Sequence, residues 1–574
     1  MKDQNFNIDP ENATETQKSE YVENILLADD IDKLSNKMFL DKMSLFIDFL
    51  FDLKKSEGLD YAIKKMESFF ERELSDHDRA LGHYYLANAY SNKKSLKINM
   101  NDVLSKWENP EIAKEILHYR LALKYLNPIY KTDFPTKKTK GEIFDNNIRY
   151  CQINTNLGNL MDNIGRFAEA VEYRNNALSL NPKFGMALGG KGLSYLWYAK
   201  YLYDGGHKAY LSHQAYRLFK SSLNCQLEYG AAEQFQKGMQ YVKSHIDKID
   251  KTFLDKELYL DSFPLGQSDD EINYRTWCLQ NCLFLNPLND LGPYPIAARD
   301  ILSIPSIVTK INEGPNCQIL FNQLKQEFVT ARFIYYQGIS GKTVHYSDKE
   351  VFLFDTEDCP IYSKTSEEIK CSFRICYSIL DKIAFFLNYY LNLGVKEREV
   401  YFKTIWYTQR KINKNDQKKP NEKEYTLRPK LTQKNNLPLL GLFWISKDLF
   451  EKESQFRDAI EPDAKEWYEI RNHLEHKFLK LHLNDDNSAI YHSRYLGEID
   501  ESLTYSIEIH DFERKTIKLL KTVRSALIYL VLAMEYEEFE RRQKRDSSIK
   551  LAQISLQRFP DDLKTNDYRY NGGH

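Results

Sequence analysis

Arg471, Asn472 and His476 fall close together in WYEIRNHLEHKF, residues 467–478. A guanidinium grips a phosphate through two parallel hydrogen bonds. An imidazole moves protons near neutral pH. Together these groups could hold a phosphate and move a proton, and the pairing needs no metal. Whether they meet depends on the backbone. Taken as a helix, the stretch puts Trp467, Ile470, Leu474, Phe478 and Leu481 on one apolar stripe. With Leu474 at zero, Asn472 sits at about 160° and His476 at about 200°, facing away from that stripe. Arg471, at about 60°, joins them only by swinging its long side chain. An ordinary wet helix face would carry the same residue types, so spacing alone does not decide between chemistry and solvation.

The elements that must position these residues are helical. Apolar periodicity predicts helices over residues 319–337, 369–393, 437–456, 463–481 and 515–547. In the second of these, Phe373, Tyr377, Leu380, Ala384, Leu387 and Leu391 share a stripe. Residues 503–509 alternate as a strand does, with 488–494 as the expected partner in a small hairpin. Further back, from residue 36, helices come in pairs. The clearest unit, 151–182, carries Leu157, Gly158, Gly165, Phe167, Ala170, Ala177 and Pro182. It resembles the tetratricopeptide repeat, in which small residues let two antiparallel helices approach closely. Pro/Gly/Asn/Asp clusters mark loops within 251–316. The expected division is a disordered or loosely docked start at 1–35, TPR-like repeats at 36–250 and a connecting segment at 251–316. A helical domain at 317–547 and a peripheral tail at 548–574 complete it.

Composition limits the functions available. Across 574 residues, 80 Lys+Arg nearly balance 82 Asp+Glu, for a net charge of −2. A globally basic nucleic-acid binder is excluded, so any polyanion site must be local. One segment fits. Residues 396–434 hold twelve Lys/Arg against five Asp/Glu, with Tyr401, Phe402, Trp406, Tyr407 and Tyr425 interleaved. Cations for phosphates and rings for bases suit single-stranded RNA. Lys403, Trp406, Arg410, Lys411, Lys414, Lys418, Lys419, Arg428 and Lys430 are the candidate RNA contacts. A solvated insert between two helices is the competing reading.

Other signals point away from other functions. Gly338-Ile-Ser-Gly-Lys-Thr343 lacks the earlier glycine of a phosphate loop, since Tyr336 stands there. Cys278 and Cys282 share a helix face, but nothing nearby completes four zinc ligands. The eight cysteines are scattered, as reduced intracellular thiols are. The N-terminus has no apolar core of a signal peptide, and no run of about 20 apolar residues occurs. The expected location is cytoplasmic, with no membrane partner.

Arg471, followed at once by Asn472 and then by His476, is similar to the RX4–6H signature of HEPN ribonucleases. TARFIYYQGI (330–339), FRICYSILDKIAFFLNYYL (373–391), FKTIWY (402–407) and LFWISKDLF (442–450) resemble, in order, a TPR-linked branch of that superfamily. TWCLQNCLFLNPLNDLG (276–292) resembles a segment preceding the domain in that branch. The implied fold is all-α. It comprises an N-terminal TPR-like helical-repeat region and a C-terminal HEPN-like helical bundle with a small β-hairpin insertion. The implied activity is endoribonuclease cleavage without metal or cofactor, by 2′-hydroxyl attack that leaves a 2′,3′-cyclic phosphate. On this resemblance His476 is the general acid/base, Arg471 binds the scissile phosphate and Asn472 positions one of them. His473 and Asp381 are secondary catalytic candidates. Two signature helices face each other in such proteins, which implies a homodimer or higher even-numbered assembly. Toxin or phage-defence settings are common in the superfamily. The repeat region would meet a protein partner or trigger. The alternative is a non-catalytic module of the same fold that binds RNA, a nucleotide or a protein.

Overall fold

The computed structural model describes residues 12–28, 30–99, 101–131, 140–310, 312–354, 358–409, 425–449, 460–483, 503–546, 548 and 551–564. The N-terminal helices are α1 (Glu15–Leu26), α2 (Asn36–Asp52), α3 (Ser56–Phe69), α4 (Asp76–Lys97) and α5 (Pro110–Lys131). They continue as α6 (Lys140–Asn163), α7 (Phe167–Leu180), α8 (Gly185–Tyr201), α9 (Gly205–Ser222) and α10 (Ala231–Ile246). Each packs mainly on its near neighbours in sequence, an arrangement consistent with helical repeats. Local signals start these helices. Ser35 and Ser75 side chains accept the Met38 and Asp78 N–H groups, capping α2 and α4. Phe39, Met43, Phe46 and Leu50 then recur at helical spacing and are fully buried. The start of the chain is less loose than its composition predicts. Thr14 and Gln17 form a capping box, and α1 buries Tyr21, Val22 and Ile25.

The C-terminal helices are α11 (Asp269–Gln280), α12 (Asn316–Ser340), α13 (Lys364–Tyr390), α14 (Pro429–Thr432), α15 (Leu437–Ser446), α16 (Ala464–His476) and α17 (Ile509–Lys544). From Ala526 to Met534, α17 is buried on every side, so it forms the axis around which α12, α13 and α15 pack. Cys278 is buried and Cys282 donates its thiol to Asp290, so the pair serves packing.

Among the described residues, two small sheets accompany the helices. β1 (Tyr407–Gln409) pairs antiparallel with β2 (Tyr425–Leu427). β3 (Phe478–His482) pairs in parallel with β4 (Thr504–Glu508), Phe478 opposite Thr504. This corrects one expectation. The helix predicted to reach 481 stops at His476, because Lys477 adopts φ −140° and ψ −146° and 478–482 alternates as a strand. Leu481 is buried in the sheet rather than on a helix stripe, and Phe478 is 72% exposed. The strand expected at 503–509 forms and pairs with β3, and the hairpin arm expected at 488–494 lies outside the described residues.

One continuous apolar cluster runs from Tyr21 to Met534, so the N-terminal helices and the C-terminal bundle share a core. At one contact between them, backbone meets backbone. Gly165, between α6 and α7, has φ +83°, and a Cβ there would lie 2.0 Å from the Leu437 carbonyl oxygen. A Cβ on Gly441 would lie 2.6 Å from the Gly165 oxygen. Buried charges lock the same contact. Arg120 of α5 and Arg166 each reach Asp448, just past α15, at 2.6 Å. Arg120 is also 3.3 Å from Glu461, which pairs with Lys518 of α17 at 2.7 Å. Lys124 reaches Asp463, the residue before α16, at 2.8 Å. Burial pushes the Asp448 carboxyl up, but the two guanidiniums together outweigh it and hold the group below the usual carboxylate range.

A second buried pair makes stability acid-sensitive. His83 of α4 and His118 of α5 meet Nδ1 to Nδ1 at 3.1 Å, stacked among Phe70, Tyr90 and Tyr125. Burial holds both imidazoles well below their ordinary range, and each lies beside a further cation. Both are neutral in the folded state at pH values where the unfolded chain already binds protons. Stability is therefore complete above about pH 6.5 and falls below it, by up to roughly 1.4 kcal/mol per pH unit per imidazole. Urea midpoints at pH 7.5 and 5.5 are expected to differ more in the wild type than in a His83→Phe/His118→Phe variant. Equal drops would contradict this assignment.

Candidate active site

α16 is amphipathic as its sequence predicts. Trp467, Ile470 and Leu474 are buried, and the helix packs against α13. Arg374 of α13 donates to the Leu474 carbonyl at 2.5 Å, which fixes the last turn. His476 is the terminal helical residue and is exposed, while Asn472 is half-buried. Among the described residues neither side chain is engaged by a hydrogen bond. His473 differs. It is buried, its Nδ1 bonds to the Glu469 carbonyl at 2.7 Å, and its ring packs on Tyr505. As a secondary catalytic candidate it is displaced, because that contact turns it toward β4 and away from solvent.

Arg471 leans toward α13. Its guanidinium lies 5.5 Å from the centre of the Tyr377 ring, and Nη2 is 3.9 Å from Asp381 Oδ2. The Arg471 side chain remains 42% exposed and that of Asp381 36%. Asp381 Oδ1 accepts the Phe402 N–H at 2.9 Å, which pins the 401–403 turn beside α16. Burial raises the Asp381 carboxyl by more than that N–H and Arg471 lower it. These groups line a solvent-open cleft bounded by Tyr377, Asp381, Tyr401, Lys403, Tyr468 and Arg471. Neither Asn472 nor His476 lines it. On a helix, Arg471 and His476 are about 140° and 7.5 Å apart. Within one chain the fold therefore brings Arg471 to Asp381 and Lys403, and leaves His476 on the open helix end. Tyr468 carried no sequence signal beyond its place three residues before Arg471 on one helix face.

The basic segment divides. Lys403 sits in the cleft. Trp406 does not serve as a stacking platform. It is fully buried against Trp107, Phe402 and Phe443, and its indole N–H donates to the Phe402 carbonyl at 2.7 Å. Arg428 is likewise occupied, donating to the Ile405 and Tyr407 carbonyls at 3.2 and 2.8 Å, so it braces the β1–β2 pair. Lys430 reaches the Asn392 carbonyl at 2.7 Å from an exposed position. Arg410, Lys411, Lys414, Lys418 and Lys419 lie outside the described residues. Arg428→Ala is expected to cost about 1–3 kcal/mol, read as a lower urea midpoint, with the salt dependence of RNA binding unchanged. A shallower salt slope would return Arg428 to the RNA contacts.

Among the described residues, no three His, Cys, Asp or Glu side chains gather as a metal site. No described helix is long and apolar enough to cross a membrane. Residues 308–537 match the model of the LA2681-like HEPN family. The match supports a HEPN domain in this part of the chain. No curated protein and no solved structure matches the chain. The HEPN match spans α12 to most of α17 and both small sheets, and Arg471, Asn472 and His476 fall within it.

Proposed function

We propose that the protein is an endoribonuclease whose chemistry centres on His476 and Arg471. The observation that carries this reading is the placement of the Arg-Asn-x3-His signature. It lies within the HEPN match, on a packed helix whose His476 is open to solvent. HEPN domains commonly bind RNA. In the proposed reaction the ribose 2′-hydroxyl loses its proton and attacks the adjacent phosphorus. The bond to the 5′-oxygen breaks, that oxygen gains a proton, and a 2′,3′-cyclic phosphate remains. His476 moves the proton, and Arg471 holds the phosphate as its charge develops. Asn472, four residues before His476 and beside it on the helix, orients the phosphate or the ring. The step requires no metal ion or cofactor.

His476 and Arg471 diverge within one chain, so the proposed site is composite. Two α16 helices from an even-numbered assembly supply it. The N-terminal helices act as the regulatory part and meet a partner or trigger, in a cytoplasmic toxin or phage-defence setting. The same divergence favours the second reading, a HEPN module that binds RNA or a nucleotide without cutting it. Expression of the wild type and of His476→Ala in cells, followed by sequencing of RNA ends, separates the two. New cyclic-phosphate ends with the wild type alone support cleavage. Identical end profiles favour the binding module.

A further inference from the structure

Two short runs outside every helix and sheet carry exposed apolar side chains. One is Val351-Phe-Leu-Phe354, between α12 and α13, where Phe352 and Phe354 are each 93% exposed. The other is residues 551–559, beyond α17, where Ile554 is 83% exposed and Leu551, Leu556 and Phe559 are also exposed. Among the described residues, no hydrogen bond engages the backbone of either run. Unpaired backbone beside exposed apolar side chains is what an edge strand offers to a partner. The first run is anchored on both sides. Before it, Asp348 accepts the Lys364 N–H at the start of α13 at 2.9 Å. After it, the Ile361 N–H donates to the Leu481 carbonyl of β3 at 2.7 Å. The two runs have opposite charge. Asp348 and Glu350 precede the first and Asp355 and Glu357 follow it, against Lys349. Residues 550–559, KLAQISLQRF, hold Lys550 and Arg558 and no acid. At the strand period of two, Lys550, Ala552, Ile554, Leu556 and Arg558 share one face, apolar in the middle and cationic at both ends. The acids flanking the first run disfavour its pairing with an identical run. Within one chain the two lie apart. Burial pushes the Lys325 ammonium down, and the neighbouring Lys564 and Arg558 push it further. Lys325 stands about 22 Å of helix before Ser340, where α12 ends and the chain turns toward the first run.

We infer that residues 551–559 of one copy pair with residues 351–354 of a second copy, and that the exchange is reciprocal. Such an exchange is two-fold symmetric and closes as a dimer. Backbone hydrogen bonds form between the two edges, as in the addition of an extended peptide to a strand. Ile554 and Leu556 cover Phe352 and Phe354, and Lys550 and Arg558 meet the flanking carboxylates. Arg558 gives up only Asp561, at 3.2 Å between two exposed side chains, a pair that contributes little. Two such contacts bury on the order of 1,500 Å², the size of a standard interface. The exchange supplies the even-numbered assembly of the proposed nuclease without depending on its chemistry.

Analytical ultracentrifugation of three full-length proteins tests this: the wild type, Phe352→Asp/Phe354→Asp and Ile554→Asp/Leu556→Asp. All four positions are exposed, so unfolding midpoints are expected to stay within a few degrees of the wild type. The wild type is expected to sediment as a dimer or larger even assembly. Each variant alone is expected to associate at least about a hundredfold more weakly, because a carboxylate replaces each apolar contact. An equal mixture of the two variants is expected to associate more tightly than either alone, since the intact 551–559 of one meets the intact 351–354 of the other. A monomeric wild type, variants that associate as tightly as the wild type, or a mixture no heavier than its components would each overturn the exchange. RNA end analysis on the same samples separates this from the nuclease reading. Association that needs both runs, in a protein that cuts no RNA, sinks the nuclease and leaves the exchange. Cyclic-phosphate ends from a protein whose variants associate as tightly as the wild type do the reverse.

Discussion

Replacing His476 with alanine is expected to lower RNA cleavage by about 10²–10⁴-fold, the usual contribution of a positioned general acid or base. The fold should survive. His476 is exposed at the end of α16 and bears none of the packing that holds the helix. Arg471→Ala is expected to cost a similar factor, about 10²–10³-fold, through the lost charge stabilisation. Arg471→Lys should recover little of it, because a lysine cannot offer two parallel donors to one phosphate. The composite geometry adds a sharper expectation. Arg471 turns toward Asp381 while His476 stays outside that cleft. If one subunit supplies the arginine and the other the histidine, mixing inactive Arg471→Ala and His476→Ala proteins restores part of the activity. Mixtures as inactive as their components would place both groups on one chain.

The second large effect is on stability. Asp448→Ala is expected to destabilise the protein by about 3–5 kcal/mol, because it leaves Arg120 and Arg166 buried without their shared partner. Glu461 and Glu169 remain nearby but carry their own pairings with Lys518 and the Tyr529 hydroxyl. Urea unfolding reads this directly. A loss under about 1 kcal/mol would mean that water reaches the cluster and screens it. The pH dependence has a definite sign. The Asp448 carboxyl is held below its ordinary value, so its contribution is complete above about pH 4 and is lost as pH falls through the folded value. Asp448 precedes Leu449, and the cluster extends through Glu461 to Lys124 and Asp463 at the start of α16. Loosening it is therefore expected to lower cleavage as well as stability.

Local pattern announced much of this molecule. The stripe from Phe373 to Leu387 became α13, and Trp467, Ile470 and Leu474 face the core as their spacing requires. Asn472 and His476 were legible as wet-face residues because helical geometry fixes their angles from the buried stripe. The misreadings have physical causes. Leu481 fits a helical stripe and a strand alternation equally well, and only its pairing with Ile507 decides. Trp406 sits among lysines and tyrosines, a composition shared by a stacking surface and by a core seam. The Trp107 and Phe443 rings that bury it come from distant sequence. The Arg120–Asp448–Arg166 cluster joins residues some 300 positions apart, so no window could reveal it. The cleft is hidden for the same reason: Asp381, Lys403 and Arg471 come from three separate segments.

The central claim is tested most directly by incubating purified wild-type protein and His476→Ala with RNA in EDTA and assaying product ends. The expected result is fragments with 2′,3′-cyclic phosphates from the wild type and none above background from the variant. Equal cleavage by the two proteins, or ends other than cyclic phosphates, would contradict it.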